Sequence, residues 1–226
     1  MSSPIAGKGK GALSEALISA HRQLSHNHRI EILARQIAAM IGERHPTGKV
    51  LCLDVGCGDM ALAERIAELA PATRWRCVDI YPLPVHLVDD PRWEKYQWFD
   101  GVNIPCPDDS FDLVLFCDVL HHVQHDADAL VAEAGRVART VLVKDHLEYS
   151  WFSRLALWGM DFLGNWGYGV PLPRRYFTRE RFVKLVEAVG LGLDSLTVGL
   201  RLYDHLPVLR RLLRPKWQFL AVLSRK

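Results

Sequence analysis

The segment LDVGCGDM, residues 53–60, carries an apolar strand-like run into a carboxylate, Asp54, and then through Gly56 and Gly58 toward a helix. Glycines at these positions let the backbone approach a ligand closely, which a Cβ would obstruct. With Ala61 the spacing also satisfies G-x-G-x-x-A, so a nicotinamide or flavin dinucleotide site competes with a methyl-donor site. Asp54 favours the second. Two residues before the first glycine, a carboxylate suits the ammonium of a methionine moiety and would repel a pyrophosphate. Asp79, 21 residues after Gly58, ends the next strand, where its two oxygens can accept from both hydroxyls of a ribose. A third strand ends at Asp100-Gly101. His121 and His146 follow the C-terminal ends of two later strands, the edge at which open α/β sheets bind ligands, so each is a candidate general base. Packing at a strand-to-helix turn and pairing with Asp145 are the plainer readings of these two histidines.

The elements that must position these groups alternate as a parallel sheet requires. Strand KVLCLD, helix MALAERIAELA stopped at Pro71, strand RWRCVD, strand YQWFD, strand FDLVLFCD, helix DADALVAEAGRVAR and strand TVLVKD follow one another, the strands apolar on both faces. Before them, residues 13–42 show helical periodicity in two pieces divided by the polar run SHNHR, after a flexible start over 1–12. Residues 147–175, rich in Trp, Phe and Tyr, break the rhythm as an insertion over the active-site end. A helix starts at FTRERF, with Thr178 as cap and Phe177 packed on Phe182, and ends at Gly190. Two last strands, near LDSLTVGL and WQFLAVL, flank the basic helical stretch LPVLRRLLR and can pair as an antiparallel edge. The fold class is therefore α/β: a Rossmann-like, mostly parallel seven-stranded sheet with an antiparallel last strand, helices on both faces and an N-terminal helical cap. The domain runs over 13–226, with the cap at 13–45 and the lid insertion at 147–175.

Composition narrows the partners. Lys and Arg number 28 against 26 Asp and Glu, so the net charge of +2 supplies no field that would attract nucleic acid. No run approaches ~18 uninterrupted apolar residues, and no signal-peptide core opens the chain, which leads to a cytoplasmic expectation without stable membrane insertion. The five cysteines fit reduced, buried thiols better than a disulfide framework. A monomer or a homodimer is expected.

After strand three comes IPCPDDSFDLVLFCDVLHHV, residues 104–123. With LDVGCGDM, Asp79 and Asp100-Gly101 it resembles the class I S-adenosylmethionine-dependent methyltransferases. Within them it is similar to the small-molecule branch of type 11, which includes the ubiquinone and menaquinone biosynthesis enzymes. The resemblance covers about residues 49–145 and the FTRERFVKLVEAVGL helix. It implies S-adenosylmethionine as cofactor and S-adenosylhomocysteine as product. It also implies that Asp54, Gly56, Cys57 and Gly58 line the methionine end, that Asp79 holds the ribose and Ile80 covers the adenine. Asp100 would accept from the adenine amino group beside Gly101, and the backbone of Cys117 would meet the donor's amino group near Val119 and His122. One departure stands out: Met60 occupies the place of the family's third glycine. The stretch DHLEYSWFSRLALWGMDFLGNWGYGVPLP is similar to a lid found in a subset of these enzymes, which implies Asp161, Asn165 and Tyr168 as residues facing the acceptor; capping turns in an aromatic core is the alternative. The abundance of aromatics favours a flat or lipophilic acceptor, methylated at O, N or C.

Other readings stay in view. A dinucleotide oxidoreductase would continue its parallel sheet with a sixth strand, whereas this chain's end suits an antiparallel one. A methyltransferase-like binding protein would not require the acidic residues at 54, 79 and 100. FCDVLHHV is not the motif of a base-flipping enzyme. His121 and His125 have helical spacing suited to a metal, but with no third ligand in register no metal is expected. His26 and His28 could reach the substrate from the cap, and the basic run from Leu209 to Lys216 could touch a membrane surface or an anionic substrate.

Overall fold

The computed structural model describes residues 8–82, 91–123, 126–164, 171–173, 175–205 and 213–226; over 8–25 and 163–164 only the backbone is described. In chain order the described residues form α1 (Lys8–Arg44), β1 (Val50–Val55), α2 (Ala61–Leu69), β2 (Thr73–Asp79), β3 (Tyr96–Trp98), β4 (Phe111–Cys117), α3 (Ala127–Val137), β5 (Ala138–His146), α4 (Trp151–Gly164), α5 (Arg179–Ala188), β6 (Leu191–Val198) and β7 (Gln218–Arg225). The seven strands make one sheet in the order β3-β2-β1-β4-β5-β7-β6. Strands β1 to β5 pair parallel. The last strand, β7, inserts antiparallel between β5 and β6, with Leu142 opposite Val222 and Leu196 opposite Ala221. The last two strands thus pair antiparallel, but the final one lies inside the sheet and β6 takes the edge.

Side-chain alternation explains why both faces are covered. Along β4, Leu113 and Leu115 pack on one side with Leu33, Ile37 and Ile41 of α1 and Ile66 of α2. Val114 and Phe116 pack on the other with Leu130 of α3 and Phe182 and Val186 of α5. Successive side chains of a strand point to opposite faces, and burying each of these stabilises by about 1.5–3 kcal/mol. The helix α5 starts as its sequence specifies: the Thr178 hydroxyl accepts from the Arg181 amide, Phe177 meets Phe182 at 5.7 Å between centroids, and Gly190 takes a positive φ of 75° just past the end.

One expectation needs correction. The N-terminal cap is one continuous helix rather than two pieces, and it begins at Lys8, inside the stretch read as flexible. The polar run SHNHR does not interrupt it, because polarity alone does not break a helix; from Leu13 to Ile41 there is neither Pro nor Gly. Met60 was the one departure from the glycine turn, yet its backbone is left-handed, with φ 63°, as the missing glycine's would be. The cost of roughly 1–2 kcal/mol for that conformation is offset by its side chain, which is buried in the core.

Candidate functional site

The functional groups gather at the C-terminal ends of β1, β2, β4 and β5. Strand β1 ends in Asp54, a buried carboxylate whose neighbours are Asp79 and Asp59; burial foremost, and then these two charges, raise its pKa to about 7. Among the described residues no basic side chain pairs with it. The turn that follows is hung on β2, because the amides of Gly56 and Cys57 donate to the Val78 carbonyl at 2.8 and 3.3 Å. Asp79 holds its far side: Oδ2 accepts from the Gly58 amide at 2.8 Å and Oδ1 from the Tyr81 amide at 3.0 Å. Each oxygen keeps a second lone pair for a ligand hydroxyl. The thiol of Cys57 lies against Cys77, whose hydrogen bond, with burial, pushes its pKa far up, so it is a neutral wall and not a nucleophile.

Gly56 cannot be another residue here. Its φ is 76°, and a Cβ would overlap the Val119 Cγ2 methyl. Gly56→Ala is therefore expected to cost about 1–2 kcal/mol in backbone strain and to displace Val119 from the turn. The result should be a thermal transition lowered by several degrees, read by calorimetry, together with weakened donor binding.

At the next strand ends, Gly101 and Ile80 are brought together, a Cβ at Gly101 meeting Ile80 Cγ2 at 3.1 Å. Asp100 directly precedes Gly101. It is exposed, and its oxygens accept from the amides of Val102 and Asn103 and from Asn103 Nδ2 at 2.7–2.8 Å, which hold its carboxyl below the usual range. In this state it caps its own turn, since an Asx carboxylate bonds readily to amides two or three residues on.

The histidines fall into a buried charge network. His121 Nδ1 donates to Asp145 Oδ1 at 2.6 Å, and Nε2 lies 3.3 Å from Asp161 Oδ2. Burial alone would depress this imidazole, but Asp145 and Asp161 outweigh it and raise its pKa to about 10. The Tyr176 hydroxyl donates to the same Asp161 oxygen. His146 is different. Its ring is buried, burial and then Lys144 lower its pKa, and its Nε2 has no hydrogen-bond partner among the described residues. Its Nδ1 stands 3.3 Å from Asp118 Oδ1 and 3.5 Å from Asp145 Oδ1. His122 turns its Nδ1 to the Pro171 carbonyl at 3.0 Å, while burial, and then the His121 charge, lower its pKa.

Tyr176 and three charged residues of this network, Asp118, Lys144 and Arg29, escaped the sequence reading. Asp118, directly after β4, has a left-handed φ of 58°. It is ion-paired with buried Lys144 of β5 and, at 3.1 Å, with Arg29 of α1. Burial pushes its carboxyl up, but Lys144, His146 and Arg29 outweigh it and hold it well below its usual range. The signals available were a Lys in an otherwise apolar strand and an Asp after FC. Neither says that a helix far back in the chain supplies the second cation. Three carboxylates, Asp118, Asp145 and Asp161, are thus balanced by Lys144, Arg29 and protonated His121. His121 with Asp145 and His146, or with His122 and Asp161, brings ligand atoms within 4.8 Å of one another. The proton on His121 already completes the charge balance without a cation.

Cys117 is half-buried beside this network, its thiol pushed up to about 12 by burial and then by Asp118. His26 faces Asp59 at 3.8 Å and the His28 ring lies tilted against His205, so neither enters the histidine cluster. Asn165, Tyr168 and His125 lie outside the described residues, as do residues 206–212 of the basic run. A groove of about 280 Å³ lined by Leu51, Arg74, Trp75, Arg76 and Phe111 opens at the opposite, N-terminal ends of the strands, away from all these groups.

Residues 53–140 match the family model of a methyltransferase domain. No curated protein sequence matches the chain. Among solved structures, an S-adenosylmethionine-dependent methyltransferase from Aquifex aeolicus superposes with a TM-score of 0.60 at 14% identity, over 92% of this chain and 98% of that one. The magnesium protoporphyrin IX methyltransferase of Synechocystis PCC 6803, solved with bound S-adenosylhomocysteine, gives 0.59 at 16% identity, over 90% and 84%. The 1,6-didemethyltoxoflavin-N1-methyltransferase of Burkholderia thailandensis, solved with its acceptor and S-adenosylhomocysteine, gives 0.58 at 17%, over 100% and 93%. At such identities these likenesses speak for the fold.

Proposed function

We propose that this chain, whose residues 53–140 match the family model of a methyltransferase domain, is a class I S-adenosylmethionine-dependent methyltransferase that methylates an O, N or C atom of a small aromatic or lipophilic metabolite by in-line displacement. The observation that carries this reading is Asp54: a buried carboxylate with no basic partner among the described residues, at the end of the strand that opens the glycine turn. A dinucleotide's pyrophosphate would be repelled there, whereas an ammonium would be welcomed. Gly56, pressed against Val119, and Gly101, pressed against Ile80, leave backbone where a cofactor can lie close. Asp54 would hold the ammonium, Asp79 the ribose, and Ile80 with Gly101 the adenine.

The bound donor supplies a methyl group already activated on sulfonium. The chain's own task is alignment, which can contribute roughly 7–11 kcal/mol when the pose is near attack geometry. His146 is the group that takes a proton from the acceptor where one must leave, because burial and Lys144 favour its neutral form and its Nε2 has no hydrogen-bond partner among the described residues. His121 serves the site as a fixed cation: already protonated, it cannot act as base at neutral pH, and it orients Asp145 and Asp161 instead. Asp161, tied to His121 and Tyr176, would face the acceptor from this network. Support for this acceptor class comes from the aromatic composition of residues 147–175; the likeness to the quinone-biosynthesis branch rests on the motifs alone.

Titration calorimetry tests the reading directly. S-Adenosylmethionine and S-adenosylhomocysteine should both bind, and Asp79→Ala should weaken both at least tenfold by removing the ribose acceptor. If neither binds the unaltered protein, the proposal fails.

A further inference from the structure

Helix α4 has two unlike faces. Ser153, Leu157 and Asp161 are buried, and Asp161 reaches His121 in the charge network. On the other side Trp151, Leu155, Trp158 and Phe162 are 74%, 58%, 41% and 36% exposed. Their spacing of four, three and four residues puts all four on one narrow helical stripe. Trp158 and Phe162 stack on each other at 5.7 Å between centroids, and exposed Tyr149 and Phe152 extend the patch at the start of the helix. Continuous exposed aromatic surface of this kind marks a binding face rather than ordinary solvent surface.

The charge around the stripe selects the occupant. Over residues 147–164 and 213–217 the only carboxylates are Glu148 and Asp161, and both are buried. Arg214 and Lys216 are exposed beside the N-terminal end of α4, where Lys216 sits 5.0 Å over the Tyr149 ring and Trp217 meets Phe152. Exposed Arg175 adjoins Tyr176, which bonds to Asp161 toward the other end. Arg154, paired with Glu148, lies between. An apolar, tryptophan-bearing helix face rimmed by cations, with no exposed carboxylate over those residues, is the pattern that lies in the headgroup region of an anionic bilayer. No helix among the described residues is long and apolar enough to cross one.

We propose that the outer face of α4, with Arg214 and Lys216, docks on the surface of an anionic membrane. The same helix carries Asp161 on its inner face, so docking would present the site to a lipophilic acceptor at the bilayer surface; that consequence rests on the acceptor reading above, while the docking itself does not.

Co-sedimentation of the full chain with vesicles of phosphatidylcholine and phosphatidylglycerol, against pure phosphatidylcholine, tests it. Binding is expected to the anionic vesicles, at least tenfold weaker on the neutral ones and in high salt. The Trp151→Ser, Leu155→Ser, Trp158→Ser triple variant should lose at least tenfold, and Arg214→Glu with Lys216→Glu should abolish the preference for anionic lipid. Calorimetry with S-adenosylmethionine on the same preparations separates the questions: unchanged donor affinity shows that each variant is folded and leaves the functional reading standing whatever the vesicles do. The proposal is overturned if the unaltered protein ignores anionic vesicles, or if the triple variant binds them equally well. It is also overturned if light scattering shows a dimer that the triple variant converts to monomer with vesicle binding absent, since the stripe would then be covered by a second copy of this chain.

Discussion

Asp54→Asn is expected to weaken S-adenosylmethionine about a hundredfold, the largest single loss on the donor side. The substitution keeps the shape of the strand end but removes the charge proposed to meet the ammonium, and a charge-assisted hydrogen bond of this kind is worth about 1.5–3 kcal/mol. The free protein should gain stability from the same change. Burial raises the folded-state pKa of Asp54 to about 7, above the ordinary carboxyl value. For an acid shifted upward the folded state holds the proton that the unfolded chain releases. Stability is therefore full below about pH 4 and declines as pH rises toward 7, by on the order of 4 kcal/mol. Asparagine has no such dependence.

Donor binding must follow the opposite trend, and this makes the assignment testable by pH alone. The carboxyl has to ionise to hold the ammonium, so affinity should rise at least tenfold between about pH 5.5 and 7, a window in which the ligand's own amino group stays charged. The Asp54→Asn variant should show a flat profile in calorimetry over the same range. A variant whose affinity still climbed with pH would place the titrating group elsewhere and remove Asp54 from the site.

His146→Ala is expected to lower turnover by a factor of about 10²–10⁴ for an acceptor that must lose a proton, with donor affinity unchanged within about twofold. The reason is the state of the ring: it is buried, its Nδ1 faces Asp118 and Asp145, and its Nε2 has no hydrogen-bond partner among the described residues. Because burial and Lys144 lower its pKa, the acidic limb of kcat should fall below the ordinary imidazole range of ~6.5. His121→Ala serves as the contrast. It removes a cation that balances Asp145 and Asp161, so its loss should appear as a lowered melting temperature as well as lowered turnover, since it leaves two buried carboxylates uncompensated. If His146→Ala kept full turnover, the ring would be a packing element and the proton would leave by another route.

The legible part of this protein was the part written in local pattern. Asp54, the paired glycines and Asp79 could be placed because each ends an apolar strand, and hydrophobic periodicity finds strands; the Thr178 cap and the Phe177–Phe182 contact could be placed because capping acts within four residues. SHNHR misled for the same reason, as a polar run reads as a break although only the missing Pro or Gly would make one. Asp100 shows the converse limit: its position at a strand end was readable, but whether its carboxylate faces a ligand or folds back on Asn103 is decided by loop geometry.

Sequence by itself determined the fold class, the strand ends that carry the acids and the glycine turn, since these depend on interactions between residues close in the chain. Tertiary structure alone decided that the pKa of His121 is raised and that of His146 lowered, although both are histidines at strand ends. A side chain's charge in the interior is set by which carboxylates and ammonium groups the fold brings within a few ångströms. Here Asp161 of α4, Lys144 of β5 and Arg29 of α1 come from segments that no local pattern connects.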